Sequence, residues 1–347
     1  MNSPPQGGQK KVWSMDSQDL QVLAALRRWR EEGHRAALVT VAQTWGSAPR
    51  PAGAWMALRD DGRVQGSVSG GCIEDDMIAR MLDGRIAGSQ PFVLRYGVTR
   101  EEANRFGLPC GGTLELVVEP APDAAQLAEL AARIEAGQLV RREIELDSGA
   151  VRILDACRGE ALQWDGTRLG TIHGPHWRLL IIGAGQIARY LAPMAQALDY
   201  AVSVCDPREE YSVEWDVPGA LLVAGMPDDA VLAMGPDPHT AIVALTHDPK
   251  LDDMALLEAL KSPAFYVGAL GSRVNNAARK ERLLKYFDLS EGEVGRLHGP
   301  IGIHIGSRTP PEIAVSILAE MTAVKNGVVV PRAESSAVAS AGCGVRP

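Results

Sequence analysis

The sequence is poor in the features that mark membrane, nucleic-acid or metal-framework proteins. Lys and Arg number 35 against 43 Asp and Glu, a formal charge of −8. With no basic excess to hold a polyanion or an anionic lipid surface, a small molecule or a protein is the favoured partner. The most apolar run, residues 179–185, falls far short of the roughly 20 residues that a spanning helix needs. The opening MNSPPQGGQKK has basic residues with no apolar segment behind them, so a cytoplasmic location is expected. Cysteine is scarce as well: the five, at 72, 110, 157, 205 and 343, are odd in number and never spaced CxxC. That argues against a disulfide framework or a zinc site and predicts reduced thiols.

What is present suffices for two domains, since 347 residues with 46% hydrophobic content can bury two cores. Residues 1–13 and the tail 329–347, small, polar and aperiodic, are expected to be disordered. Over 17–32, Leu20, Val22, Leu23, Leu26 and Trp29 recur at helical spacing and Gly33 follows as a stop. Three short β-rich runs at 36–43, 54–59 and 64–68, separated by turn residues, predict a compact antiparallel sheet. A helix is expected over 73–82. After it come a strand over 92–98, a capping-box sequence at Thr99-Arg100-Glu101-Glu102, and a strand over 113–119. This α+β domain spans 15–122, and a helix with short strands connects it through 123–175. From 176 to 328 apolar strands alternate with helices, the pattern of an α/β doubly wound parallel sheet.

The second domain carries the more specific signal. An apolar strand runs into Gly183-Ala184-Gly185-Gln186-Ile187-Ala188, then a helix, then a second strand ending at Asp206. In a dinucleotide fold Gly183 permits the tight turn, Gly185 lets the backbone approach a pyrophosphate, and Ala188 allows close helix packing. Asp206 stands where a ribose-binding acid belongs, so NAD is admitted as a cofactor and preferred to NADP. The bland alternative is an inherited turn that only packs the helix on the sheet. His247 and Arg273 lie just past the ends of two later strands, where ligands of open α/β sheets gather. His247 suits proton transfer or metal binding, or else a plain capping loop; Arg273 suits a phosphate or carboxylate. The stretch Gly302-Ile303-His304-Ile305-Gly306-Ser307-Arg308 is glycine-punctuated and reads equally as an interface or a ligand mouth. Beyond it, Thr309, Pro310 and Glu312 mark a helix start.

The first domain holds two glycine-flanked thiols, Gly70-Gly71-Cys72 at a helix start and Cys110-Gly111-Gly112 before a strand. Each is either a reactive thiol or soft-metal ligand, or a small residue in a tight turn. Glu74, Asp75 and Asp76 disfavour negative charge near Cys72, whereas Cys110 has no adjacent carboxylate.

Taken in order, these motifs, with Gly46-Ser47-Ala48-Pro49-Arg50 and Asp206-Pro207-Arg208, resemble the XdhC/CoxI family of xanthine dehydrogenase accessory proteins over most of residues 20–327. Cys343 lies beyond the matched region. The resemblance implies a chaperone more than a catalyst. Such a protein binds the molybdenum cofactor (molybdopterin), supports its sulfuration by a cysteine desulfurase, and inserts it into a xanthine-dehydrogenase-type apoenzyme. A homodimer is expected, with the cofactor held between the two domains. No catalytic residue is assigned on this reading; the binding set is Gly70, Gly71, Cys72, Cys110, Gly111, Gly183, Gly185, Ala188, Asp206, His247 and Arg273, with Cys110 and Cys72 touching the metal. The runner-up is an NAD-dependent oxidoreductase, which lacks an obvious Tyr/Lys or His/Lys pairing after the glycine turn.

The two thiols can be told apart. Cys110→Ser exchanges a soft sulfur for a hard oxygen of similar size, so activation of an apo-dehydrogenase should fail while thermal unfolding is unchanged. Cys72→Ser should be milder. Normal activation by the Cys110 variant overturns the assignment.

Overall fold

Helix α1 (Gln18–Glu31) buries Val22, Leu23, Ala25, Leu26 and Trp29 along one stripe, and the chain then enters the strand that organises the N-terminal half. This strand, β1 (Ala36–Trp45), is apolar on both faces because both are covered. The computed structural model describes residues 18–45, 50–97 and 113–329, without the side chain of Cys72. Strands β2 (Trp55–Arg59) and β3 (Val64–Gly66) follow, then α2 (Cys72–Leu82), β4 (Phe92–Tyr96) and β5 (Thr113–Glu119). The five strands form one antiparallel sheet ordered β3-β2-β1-β5-β4, in which Leu38 pairs with Ala57 on one side and Glu119 on the other.

Alternation along β1 divides the core. Ala37, Val39 and Val41 pack with Ile73, Met77 and Met81 of α2. Ala36 and Leu38 pack with Leu26 and Trp29 of α1 and with Leu130 and Ile134 of α3 (Ala124–Glu135). Burying each such large side chain contributes about 2 kcal/mol. A strand sandwiched in this way reads as a continuous apolar run, which is why its sequence lacks alternation.

Strands β6 (Val140–Glu145), β7 (Val151–Asp155), β8 (Gln163–Trp164) and β9 (Arg168–His173) make a second antiparallel sheet, ordered β7-β6-β9-β8. Buried Arg142 of β6 donates to buried Glu119 of β5 through two parallel bonds of 2.8 and 2.6 Å, which tie one sheet to the other.

The remaining elements alternate. They are β10 (Trp177–Ile182), α4 (Gln186–Gln196), β11 (Tyr200–Cys205), α5 (Glu209–Ser212), β12 (Leu221–Val223), α6 (Pro227–Met234), β13 (Thr240–Ala244), α7 (Pro249–Lys261), β14 (Tyr266–Ala269), α8 (Arg273–Tyr286), α9 (Glu291–Gly295), β15 (Leu297–His298) and α10 (Pro310–Lys325). The sheet order is β12-β11-β10-β13-β14-β15, with β13, β14 and β15 parallel to one another. Successive strands add outward from β10 in one direction and from β13 in the other, so the order reverses between these two. That reversal opens a crevice at the strand ends of a doubly wound sheet. The chain divides into two compact units: Met1–Arg178 with Ala195–Val202 and Asp216–Leu221, and Leu179–Met194 with Ser203–Trp215 and Leu222–Pro347.

Two local expectations meet the structure differently. The strand expected over 64–68 stops at Gly66, because the N–H groups of Val68, Ser69, Gly70 and Gly71 all donate to Glu74 rather than to a neighbouring strand. Helix α10 starts as the sequence predicts: the Glu312 carboxylate reaches back to the N–H groups of Arg308 and Thr309 at 2.7 and 2.9 Å. The capping sequence at 99–102, Cys110, Gly111, Gly112 and both tails lie outside the described residues.

Removing one partner of a buried ion pair leaves the other charge uncompensated, at a cost of about 3 kcal/mol. Glu119→Gln should therefore lower the stability of the N-terminal unit by that amount in urea unfolding. A loss below about 1 kcal/mol would mean the Arg142 pair contributes no more than a surface one.

Candidate functional site

The carboxyl ends of the parallel strands carry most of the unusual chemistry. Strand β10 ends in the Gly183-Ala184-Gly185 turn, and the turn's two glycines are there for different reasons. Gly183 has φ +110°, and a Cβ on it would lie 3.1 Å from the backbone of Leu245 and Thr246, so the packing of β13 excludes any side chain. At Gly185 the φ is ordinary and an added Cβ would meet nothing within 4 Å. Among the described residues nothing crowds a Cβ at 185, where α4 begins. Ala188 is buried one turn into α4, the close helix packing that a small residue permits.

Asp206 is held differently from the ribose-binding role that its spacing suggests. One carboxylate oxygen accepts from Ala184 N at 2.9 Å and Arg208 Nη2 at 2.8 Å; the other accepts from Arg208 Nε at 2.9 Å and Arg208 N at 3.1 Å. Burial alone would raise this carboxyl, yet the bonds from Arg208 and Ala184 hold it below the usual range. The guanidinium carbon of Arg208 lies 4.0 Å from the centre of the Tyr211 ring. A ribose hydroxyl would have to share or displace these partners. In the sequence Arg208 stands inside a motif with nothing to indicate this task.

Past β13 and β14, one buried network sets two loops. Asp252 takes Thr246 N and Oγ1 on one oxygen, at 3.2 and 2.7 Å, and Arg279 Nη2 on the other at 3.0 Å. Arg279 also donates to Asp253 at 3.1 Å, to the Leu270 carbonyl at 2.9 Å and to Asn276 Oδ1 at 3.0 Å. Asn276 in turn donates to the carbonyls of Gly271 and Ser272 at 3.1 and 3.2 Å. The network thereby anchors the segments that present His247 and Arg273, both exposed. His247 adopts φ +62°, a left-handed conformation uncommon outside glycine, and Arg273 opens α8 behind its N-cap Ser272. Asp252, Asn276 and Arg279 are missed by sequence reasoning, because a helix-borne polar residue gives no sign of the loop it will face.

A cavity of about 450 Å³ lies further along the same sheet edge, lined by Leu270, Arg273, Ile303, His304, Ser307 and Glu320 among others. Glu320 accepts from Tyr266 Oη at 2.6 Å, Gly302 N at 2.7 Å and His298 Nδ1 at 2.9 Å.

In the N-terminal unit, Gly70 and Gly71 belong to a loop closed around Glu74. Besides four backbone N–H groups at 2.8–3.0 Å, its carboxylate takes the Ser67 hydroxyl at 2.7 Å and the Ser69 hydroxyl. Asp76 is likewise engaged, by Arg80 and the Tyr96 hydroxyl, each at 2.6 Å. Two of the three carboxylates expected to oppose a thiolate at Cys72 are thus spent on protein donors. The side chain of Cys72 and all of Cys110 and Gly111 lie outside the described residues. Of the described thiols, Cys205 is buried and pushed up to about 11, by burial first and then by Asp206 and Asp228, while Cys157 is exposed. Among the described residues no group of three or more His, Cys, Asp or Glu is arranged to hold a metal. None of their helices is long and apolar enough to cross a membrane.

Comparison with known proteins places both halves. A family model described as the XdhC Rossmann domain matches residues 179–321, and one described as the XdhC and CoxI family matches residues 29–97. The chain is similar to a Bacillus subtilis (strain 168) protein named as a probable subunit of xanthine dehydrogenase, with 28% identity over 86% of this chain and 96% of that one. It is also similar to the Escherichia coli (strain K12) protein named molybdenum cofactor insertion chaperone PaoD, with 29% identity over 84% of each. A Bacillus halodurans crystal structure described as a xanthine dehydrogenase shares the fold at 22% identity with a TM-score of 0.67, covering 93% of this chain and 98% of that one.

The Glu74 loop has a pH signature. Burial would raise this carboxyl, but the hydrogen bonds from Ser69, Ser67 and Gly71 outweigh burial and hold it at about 2, below its ordinary 4.5. A depressed carboxyl contributes stability that is complete above the unfolded value and is lost as pH falls through the folded one. Wild-type unfolding free energy should therefore drop by about 3 kcal/mol more than that of Glu74→Gln between roughly pH 5 and pH 2, at 1.36 kcal/mol per unit. Parallel urea-stability curves for the two proteins would show that the loop does not depend on the charge.

Proposed function

Because the chain belongs to the XdhC and CoxI family, we propose that it is an accessory protein that binds the molybdenum cofactor as cargo. On this reading it supports sulfuration of the cargo by a cysteine desulfurase and inserts it into a xanthine-dehydrogenase-type hydroxylase in the cytoplasm, acting as a homodimer. The names of two relatives support the reading: one is a molybdenum cofactor insertion chaperone and the other a probable subunit of xanthine dehydrogenase.

The observation that carries it in this chain is the contrast between Gly183 and Gly185. Tight packing and a positive φ favour the first glycine; the second, with open space around it, leaves room for an external group to approach the turn. A phosphate-bearing cargo is such a group, and the N-terminal N–H groups of α4 supply the donors it needs. His247 and Arg273 stand on the neighbouring loops of the same edge, Arg273 suited to an anionic part of the cargo. In the N-terminal half, Cys110 and Cys72, flanked by Gly111 and by Gly70 and Gly71, are assigned to the molybdenum or its sulfur, for which a thiolate is the matching soft ligand. The alternative, an NAD-dependent oxidoreductase, has less support, since Asp206 is committed to Ala184 and Arg208.

Gly185→Val separates binding from folding. A Cβ there meets no described atom within 4 Å, so thermal stability should stay within about 0.5 kcal/mol of wild type. Pterin retained after purification from cofactor-producing cells, and activation of the apo-hydroxylase, should each fall at least roughly tenfold, the loss of about one phosphate contact. Unchanged retention in a folded variant makes the turn purely structural.

A further inference from the structure

We propose that the cavity walled by residues 299–307 is a second anion site, built to take the phosphate group of a small molecule with a compact apolar or planar body. It goes beyond the molybdenum reading: of the second-domain residues assigned to the cargo, Gly183, Gly185, Ala188, Asp206 and His247 do not line this cavity, and Arg273 alone is shared.

The loop is pinned at both ends and by the Ser307 hydroxyl, which donates to the Glu312 carbonyl at 3.2 Å. Ile301 N donates to the Ala269 carbonyl at 3.0 Å, Gly302 N to Glu320 at 2.7 Å and Ile303 N to the Ser316 carbonyl at 3.3 Å. At the other end Arg308 N and Thr309 N donate to Glu312. Between them the N–H groups of His304, Ile305, Gly306 and Ser307 have no partner among the described residues. All four residues line the cavity. Gly306 adopts φ +78°, the left-handed step by which successive N–H groups turn toward a common point and form an anion-binding concavity.

The surroundings suit the same ligand. Arg273 and His304 stand at the wall. The nearby carboxylates do not oppose an anion as free charges: Glu320 is engaged by three donors, and Glu312 is turned to its own helix cap. Leu270, Ile301, Ile303 and Ile313 supply an apolar wall for the body of the ligand. Four backbone donors at a wall that also carries Arg273 suit an anion, and a phosphate, with a third terminal oxygen and a second charge, can use more of them than a singly charged carboxylate. Sequence alone leaves this stretch open between an interface and a ligand mouth; the free N–H groups and the cavity favour the mouth.

The test titrates the full-length protein with inorganic pyrophosphate by calorimetry in a Gly185→Val background, which removes the first turn as an anion site. Binding should persist there. Adding Arg273→Gln, at the exposed first residue of α8, should weaken it roughly tenfold, the loss of a charge-assisted contact, and Ser307→Glu should abolish it by placing a carboxylate at the wall. Acetate at the same concentration should not compete. No binding in the Gly185→Val background, binding indifferent to both added substitutions, or acetate binding as tightly as pyrophosphate would each overturn the proposal. Because the readout needs neither pterin nor client enzyme, its failure is distinct from failure of the chaperone reading. Thermal unfolding of each variant controls for the fold, and Arg273→Gln keeps the test decisive if Ser307→Glu disturbs its loop.

Discussion

The buried guanidinium of Arg279 is the constraint on which the strand-end edge of the parallel sheet depends. A charge removed from water is costly unless acceptors and a counter-charge meet it. Arg279 has both, donating to Asp252, Asp253, Asn276 and the carbonyl of Leu270. Satisfying it brings together α7, α8 and the loops after β13 and β14. Those loops cannot relax independently, because Asp252 also holds Thr246 and Asn276 also holds Gly271 and Ser272. His247 and Arg273 are exposed on a frame whose rigidity comes from beneath.

The same physical device recurs at a second loop. Glu74 collects backbone N–H groups that would otherwise lack partners and so shapes the glycine-rich segment before α2. Here a carboxylate of the protein fills a cluster of donors that would otherwise be open to an outside anion. At 304–307 the backbone donors have no partner among the described residues. The difference separates a loop closed on its own carboxylate from one whose donors remain open to solvent or to an anion.

The parallel-sheet edge thus offers two anion-friendly features, the Gly185 surface and the 299–307 cavity, with Arg273 after the intervening strand β14. A carrier gains from this arrangement. Backbone donors hold phosphate without covalent chemistry and release it without a reaction, and rigid loops reduce the ordering entropy that binding must overcome. None of this requires a nucleophile or a general base, in keeping with the carrier role proposed for this protein.

Much of the fold was legible in the sequence, because hydrophobic periodicity and capping act over a few residues and are written locally. The positions Val22, Leu23, Leu26 and Trp29 of α1, the apolar run of β1, the strand–glycine–helix–strand succession through Asp206 and the start of α10 at Thr309 all follow from such patterns. The resemblance to the XdhC and CoxI family was legible for the same reason, since it rests on short motifs in order. The partner of each buried charge was not legible. Asp206 has the spacing of a ribose ligand but closes on Ala184 and Arg208; Glu74 looks like a surface charge beside a thiol but knots its own loop; Arg279 looks like one more helix-surface arginine. A polar side chain must be satisfied once it is buried, but sequence cannot specify by whom. The choice is made only when distant segments pack, and at Asp206, Glu74 and Arg279 that packing decided which residues face a ligand and which hold the ground beneath it.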